Sequence, residues 1–259
     1  MKFKTLCVAM LLAAGGIGVA CATPTNLVSN GDFSQTTTNA TTPWQFGTSN
    51  LNGFQAQQIV TGWTGNNGYN IWYDNASDAV SVQAHSTWGV GGADTGKEML
   101  WAVTANPNFT SFVGLDGEQT NGVQGSIGQT LDNLTVGATY KVNFWWGASQ
   151  MKSRTGDTTE QLQVSFGNQT QSTAVESNPS ESFSGWWQQS FTFVADSSSA
   201  FLNFLSVGTP AGYPPFVLLG GVSVTHVPEP SALGMFGGGL LGLGLLIVLA
   251  RRRRLSEEA

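Results

Sequence analysis

Thr139-Tyr140-Lys141-Val142-Asn143-Phe144-Trp145-Trp146 decides the fold. Tyr140, Val142, Phe144 and Trp146 fall on one face of an extended chain, and Lys141, Asn143 and Trp145 on the other. A period of two is the mark of a half-buried strand rather than a helix. The first face belongs to a core, and Trp145 is expected on the outer, concave surface.

Outward from this stretch, short runs rich in Val, Phe, Trp and Thr are broken by Gly, Asn, Ser and Pro, with no long apolar stripe of helical period. Upstream, Ile127-Gly128-Gln129-Thr130-Leu131 reads as a strand and 133–137 as a turn. Asn26-Leu27-Val28-Ser29-Asn30-Gly31-Asp32-Phe33 reads as an edge strand followed by a turn. Downstream, strands are expected at 162–166, 187–194, 200–206 and 217–225. In the run from Trp186, Trp187 shares parity with Phe191 and Phe193 and belongs to the core, while Trp186 points the other way. Residues 36–107 are less regular and carry Trp44, Trp63, Trp72, Trp88 and Trp101, so long loops with short strands are expected there. The pattern is all-β, an antiparallel sandwich.

The two ends differ from this middle. Residues 1–22 have Lys2 and Lys4, an apolar stretch and a small-residue Ala20-Cys21-Ala22, the layout of a signal peptide helix. Acylation of Cys21 as a lipoprotein is the alternative. Both cysteines, Cys7 and Cys21, sit in this leader, so the mature middle holds no disulfide and no thiol chemistry. At the other end, Val227-Pro228-Glu229-Pro230 precedes an uncharged run over 232–250, then Arg251, Arg252, Arg253 and Arg254, with 255–259 as a cytoplasmic tail. As a helix that run spans about 28 Å, enough for one membrane crossing. The arginines hold its end on the cytoplasmic side.

This terminal order resembles the PEP-CTERM sorting signal of exported bacterial proteins. The resemblance implies an exosortase, a membrane transpeptidase-like protease, as processing partner. It further implies a chain anchored in the inner membrane until the tail at 227–254 is removed, and then placed at the cell surface or in the extracellular matrix.

The middle, 23–226, also resembles the galactose-binding-like jelly rolls common in such proteins and in carbohydrate-binding modules. The residues that carry this likeness are the opening 26–33, Gly62-Trp63, and Gly128-Gln129-Thr130-Leu131 ahead of 134–140. Trp187 with Phe191-Thr192-Phe193 and Leu218-Leu219-Gly220-Gly221-Val222-Ser223-Val224 complete it. The resemblance implies a jelly-roll β-sandwich. In such modules the closing strand carries an aspartate that helps hold a structural calcium ion; here Gly220 or Gly221 stands in its place. Calcium needs six to eight oxygens. Asp32 is left as a weak candidate ligand, and no cofactor is expected.

Charge and residue counts narrow the chemistry. Between 23 and 226 only Lys97, Lys141, Lys152 and Arg154 are basic, against 13 acids, so no phosphate-binding patch exists and nucleic acid is not a partner. His85 and His226 are the only histidines, too few for a His-based zinc site, and no Gly-x-Ser-x-Gly elbow occurs. A glycan-active hydrolase needs only two carboxylates. Asp116-Gly117-Glu118 is the one close acid pair after a strand-like run, and an Asp-Gly turn explains it as well or better. Sugars offer C–H faces that stack on aromatic rings and hydroxyls that pair with amides. Trp72, Tyr73, Trp145 and Trp186 are the candidate glycan-binding residues: Trp145 by parity, Trp72-Tyr73 by a setting among Asn66, Asn67, Asn70, Asp74 and Asn75. The expected function is a non-catalytic exported protein associating with extracellular polysaccharide. A structural or adhesive surface protein without a sugar site is the alternative.

Overall fold

The computed structural model describes residues 25–37, 44–47, 58–66, 68–81, 99–118, 123–211 and 215–228. In chain order the elements are β1 (Trp44–Phe46), β2 (Thr64–Gly65), β3 (Asn70–Tyr73), α1 (Ala76–Ser81), β4 (Phe112–Asp116), β5 (Ser126–Asp132) and β6 (Thr139–Gln150). Then come β7 (Thr158–Phe166), β8 (Gln169–Ser172), β9 (Glu176–Asn178), β10 (Trp187–Val194), β11 (Ser199–Thr209) and β12 (Pro215–His226). Sheet 1 has the order β1-β3-β4-β12-β6-β10; sheet 2 has β2-β5-β11-β7-β8, with β9 also pairing β7. The recorded strand pairs are antiparallel.

The chain passes from sheet 1 to sheet 2 and back at β4–β5–β6–β7 and again at β10–β11–β12. Two antiparallel sheets wired in this way form a sandwich consistent with a jelly roll. Between them lies one core. Val142, Phe144 and Trp146 of β6 face Leu162, Val164 and Phe166 of β7 and Leu202 and Phe204 of β11. Phe144 meets Phe204 edge-on with centroids 5.4 Å apart, which pins the two sheets at their middle strands.

The two sheets differ in how they are covered. β7 alternates buried and half-buried residues from Thr158 to Phe166, so one of its faces is open. β3 and the first half of β12 are buried at every position, because sheet 1 is covered on both sides. Its outer face carries Ile71, Tyr73, Phe112, Phe216 and Leu218, roofed by Ala76 and Ala79 of α1 and by Leu100, Val103 and Phe109. Glycines make room for these rings. A Cβ on Gly220 would lie 2.3 Å from the Phe109 ring, and one on Gly147 would lie 2.7 Å from Phe183.

The strands expected at 127–131, 139–146, 162–166, 187–194, 200–206 and 217–225 are all present, most of them longer at one end or both. The turn at 133–137 is present with Asn133 and Gly137 at φ 61° and 83°. The opening segment is a correction: 26–33 is not a strand. Asn26 Oδ1 accepts from the Val28 and Val224 N–H groups, so a side chain occupies the place a ladder bond would take. The Leu27 N–H donates to Val224 O and the Val222 N–H to Gly31 O, which ties the segment to the end of β12. Only glycine fits at 31, where a Cβ would sit 2.0 Å from Val222 O. The short helix α1 was not foreseen either. Asn75 caps it, its Oδ1 accepting from the Asp78 N–H at 2.8 Å while its Nδ2 donates to Asp78 Oδ2 at 3.0 Å.

Gln129 clamps the opening segment to β5. Its Oε1 accepts from the Ser29 N–H and its Nε2 donates to Ser29 O and Gly62 O, with the residue 7 % exposed. Replacing it leaves three backbone groups without partners. Gln129→Ala is expected to lower unfolding free energy by about 2–4 kcal/mol in urea titrations, whereas Gln188→Ala on exposed β10 changes it by less than about 0.5 kcal/mol. Equal, small effects would show that the clamp contributes nothing.

Candidate functional site

The four aromatic residues picked out by the sequence are not brought together on an open surface. Trp72 points into the core, 1 % exposed, its indole N–H donating to Phe33 O at 2.8 Å. Tyr73 is on the opposite face of the same strand, 0 % exposed and stacked on Phe112 at 5.2 Å. Neither ring has a free face, and the expectation that this pair presents itself to sugar is corrected. The amides around it serve the backbone instead. Asn66 Oδ1 accepts from the Gly68 and Ser126 N–H groups, and Asn75 caps α1.

Trp145 stands on the outer face of sheet 1, as its parity required, yet the 99–111 segment covers that face and leaves it half-buried. Trp186 belongs to the same layer. Its N–H donates to Thr104 O at 2.7 Å, and its ring meets Phe109, Phe112 and Phe183 edge-on at 4.9, 5.3 and 5.5 Å. Tyr73, Trp145 and Trp186 therefore form one aromatic layer, with Trp72 on the far side of the sheet. Trp63 is buried, and Trp101 is half-buried with the Lys152 ammonium 5.6 Å from its ring centroid.

The open surface is the outer face of sheet 2, which the sequence reading passed over. Phe201 of β11 lies on it, 47 % exposed, with its ring across Gly128, where a Cβ would come within 2.3 Å. Along the same strand face stand Asn203, Leu205 and Val207, and beside them Gln161, Gln163 and Ser165 of β7, all half-buried. The hydroxyls of Ser165 and Thr170 are 2.9 Å apart and those of Thr159 and Thr209 are 2.7 Å apart. At the Phe201 end a shallow groove of ≈ 760 Å³ opens between the opening segment, β2 and β5, with Asn26, Thr64, Thr130, Asp132 and Asn133 on its walls. Asp132 is the single charged group lining it, and it accepts from the Ser199 hydroxyl at 2.7 Å. An apolar ring amid neutral donors and acceptors can hold a sugar by stacking and hydroxyl pairing. The signal was readable: Phe201, Asn203 and Leu205 share the outward parity of a strand whose other face is Ala200, Leu202 and Phe204.

Among the described residues the carboxylates singled out by the sequence, Asp116 and Glu118, do not form a hydrolytic pair at a cleft. Asp116 accepts from the Glu118 N–H at 2.8 Å, the turn that its Asp-Gly sequence anticipates. Burial pushes its carboxyl up to about 7, and the nearby Glu118 charge adds to the rise. Glu160, on the inner face of β7, is raised to about 8, first by burial and then by Glu176. It is 0 % exposed, so no substrate reaches it, and it lies on the inner face of sheet 2 while Asp116 lies on the outer face of sheet 1. Asp32 is exposed and its Oδ1 accepts from Ser34. The Phe109 ring fills the space beside Gly220 and Gly221 where an acid partner would project, so calcium does not fit there. Among the described residues no group of three or more His, Cys, Asp or Glu side chains is placed to hold a metal.

Val227 and Pro228, the first residues of the expected sorting motif, follow β12 directly, the Val227 N–H donating to Thr139 O at 2.8 Å. Glu229, Pro230, the run at 232–250, Arg251–Arg254, the leader at 1–22, His85 and Trp88 lie outside the described residues. Among the described residues no helix is long and apolar enough to cross a membrane.

Comparison with protein-family models gives no match. Comparison with curated proteins gives none either. Among solved structures the chain is similar to TmCBM61 in complex with beta-1,4-galactotriose, at 12 % identity and TM-score 0.40 over 78 % of this chain and 99 % of that one. It is similar to the CBM22-1-CBM22-2 tandem domain of Paenibacillus barcinonensis Xyn10C, at 14 % identity and TM-score 0.39 over 82 % of this chain and 48 % of that one. A third likeness is to the enzymatically active domain of bacteriophage CBA120 tailspike protein 4, at 14 % identity and TM-score 0.36 over 78 % of this chain and 21 % of that one. At scores this low the likeness says nothing of what this chain binds.

Asp116 gives a pH test. A carboxyl raised in the folded state supplies stability that is full below its unfolded pKa, near 3.8, and is lost as pH rises through about 7. Wild-type stability in urea is therefore expected to fall between pH 4 and 8. Asp116→Asn should remove Asp116's share of that fall, leaving the share from Glu160, and be more stable at pH 8 by about 1–3 kcal/mol. A wild-type profile already flat over this range would refute the buried-acid assignment.

Proposed function

We propose that this chain is a non-catalytic, exported β-sandwich that takes an extended, uncharged polysaccharide on the open face of sheet 2. The observation that carries the reading is Phe201, an exposed aromatic ring on a sheet face otherwise made of amides, hydroxyls and short apolar side chains. Sugar C–H groups pack on the ring, while Gln161, Gln163, Asn203 and Thr130 exchange hydrogen bonds with the hydroxyls. The leader at 1–22 and the segment 227–254 support export, transient inner-membrane anchoring and removal of the tail by an exosortase-type protease. On this reading the mature domain works at the cell surface or in the extracellular matrix.

A second reading has its own observation. The tryptophans of sheet 1 are spent on packing, as a structural or adhesive protein without a sugar site requires. The two readings part on a binding assay of the wild type and two variants against a panel of neutral and acidic glycans. Phe201→Ala is expected to weaken binding of a neutral glycan about tenfold or more, a loss of about 1.4 kcal/mol. Trp145→Ala should leave affinity unchanged once stability is matched. No binding by the wild type, or a loss confined to Trp145→Ala, would hand the case to the structural reading.

A further inference from the structure

The buried oxygens at one end of the core point to a second site, independent of the sugar reading. Among the described residues three buried side-chain atoms have no hydrogen-bond partner: Glu160 Oε2, Ser206 Oγ and Asn70 Oδ1. Each belongs to a residue that is 0 % exposed, and each is an oxygen. Leaving such atoms unpaired costs on the order of 1–3 kcal/mol apiece, so a native fold fills the space beside them.

The register places these groups at the same end of the sandwich. Glu160 pairs with Glu176 across β7 and β9, so the two carboxylates stand side by side on the inner face. Glu160 also pairs with Gly208, which puts Ser206 one diagonal step away on that face. Ser206 donates its N–H to Gly125 O, and a Cβ on Gly125 would meet Asn70 Oδ1 at 2.6 Å, which brings Asn70 in from sheet 1. Two of the donors nearby are already used, and the Ser206 hydroxyl, donor as well as acceptor, is left unpartnered. The Thr158 hydroxyl donates to Glu160 Oε1 at 2.6 Å, and Asn70 Nδ2 is turned to Asn66. No Lys, Arg or His side chain among the described residues pairs with either glutamate.

We propose that this end of the core binds a divalent hard cation, Ca²⁺, with Glu160 and Glu176 as carboxylate ligands. Ser206 and Asn70 line the site with neutral oxygens, and waters complete the shell. Two adjacent carboxyl groups without a cationic partner, beside unpartnered neutral oxygens, are the ligand chemistry such an ion selects, and the ion takes the place of the proton that burial otherwise holds on Glu160. The site is separate from Asp32: Pro215 lies against Gly208, the partner of Glu160, whereas Gly31 beside Asp32 meets β12 at Val222, seven residues further and so roughly 20 Å along an extended strand.

The test uses the full-length chain, stripped with EDTA and titrated with CaCl₂, read by calorimetry and by Tm. One bound Ca²⁺ per chain is expected, with a Tm rise of about 5 °C or more at saturation. Glu160→Gln should abolish the heat and the Tm rise. Glu176→Gln, on a half-buried residue that tolerates change, should weaken affinity at least tenfold and keeps the test valid if Glu160→Gln fails to fold. Asp32→Asn should bind as the wild type does. No heat and no Tm change with the wild type would show that water alone fills the space and would overturn the proposal. So would binding that survives Glu176→Gln unchanged or is lost in Asp32→Asn.

Discussion

The structure depends on sheet 1 being buried on both faces by aromatic rings laid onto glycines. Gly114, Gly147 and Gly220 leave hollows on its outer face, and Tyr73, Phe216, Phe183 and Phe109 occupy them. A flat ring on a bare backbone loses water from both surfaces, and apolar burial of this kind is the main favourable term available to a core without disulfides. The tryptophans follow from that need. Trp72 is structural because the inner layer of sheet 1 requires a large ring, while Trp145 and Trp186 pack against the outer layer and stay half-buried. Among the described residues sheet 2 has no such roof.

The strands of the sandwich were legible because alternation survives wherever one face is open, as in β6 and β7. The opening segment misled for a physical reason. Asn26-Leu27-Val28 has the composition of a strand, but the Asn26 side chain takes the bond from Val224 N–H that a ladder would use. The helix α1 is six residues long, too short for its period to show against the surrounding loop, although Asn75 and Asp78 carry its cap.

The proposed binding face was less legible. Parity gave the correct side of the sheet for Trp145, but parity cannot report that a loop folds back over that side. The Asn-rich setting of Trp72-Tyr73 suggests sugar hydroxyls, whereas Asn66 and Asn75 satisfy turn and cap N–H groups. Phe201 is readable by the same alternation that places Trp145, but a phenylalanine in a strand reads first as a core residue. The three unpartnered oxygens could not be read at all, since each depends on register between strands far apart in the chain.

These assignments share one claim: the rings of Trp72, Tyr73 and Phe112 on sheet 1 are closed to solvent while the outer face of sheet 2 is open. Hydroxyl-radical footprinting of the unliganded protein, read by mass spectrometry, tests it most directly. The account predicts rapid oxidation at Phe201 and strong protection of Trp72, Tyr73 and Phe112. Rates at Trp72 and Tyr73 approaching those of the unfolded chain, with Phe201 protected, would contradict it.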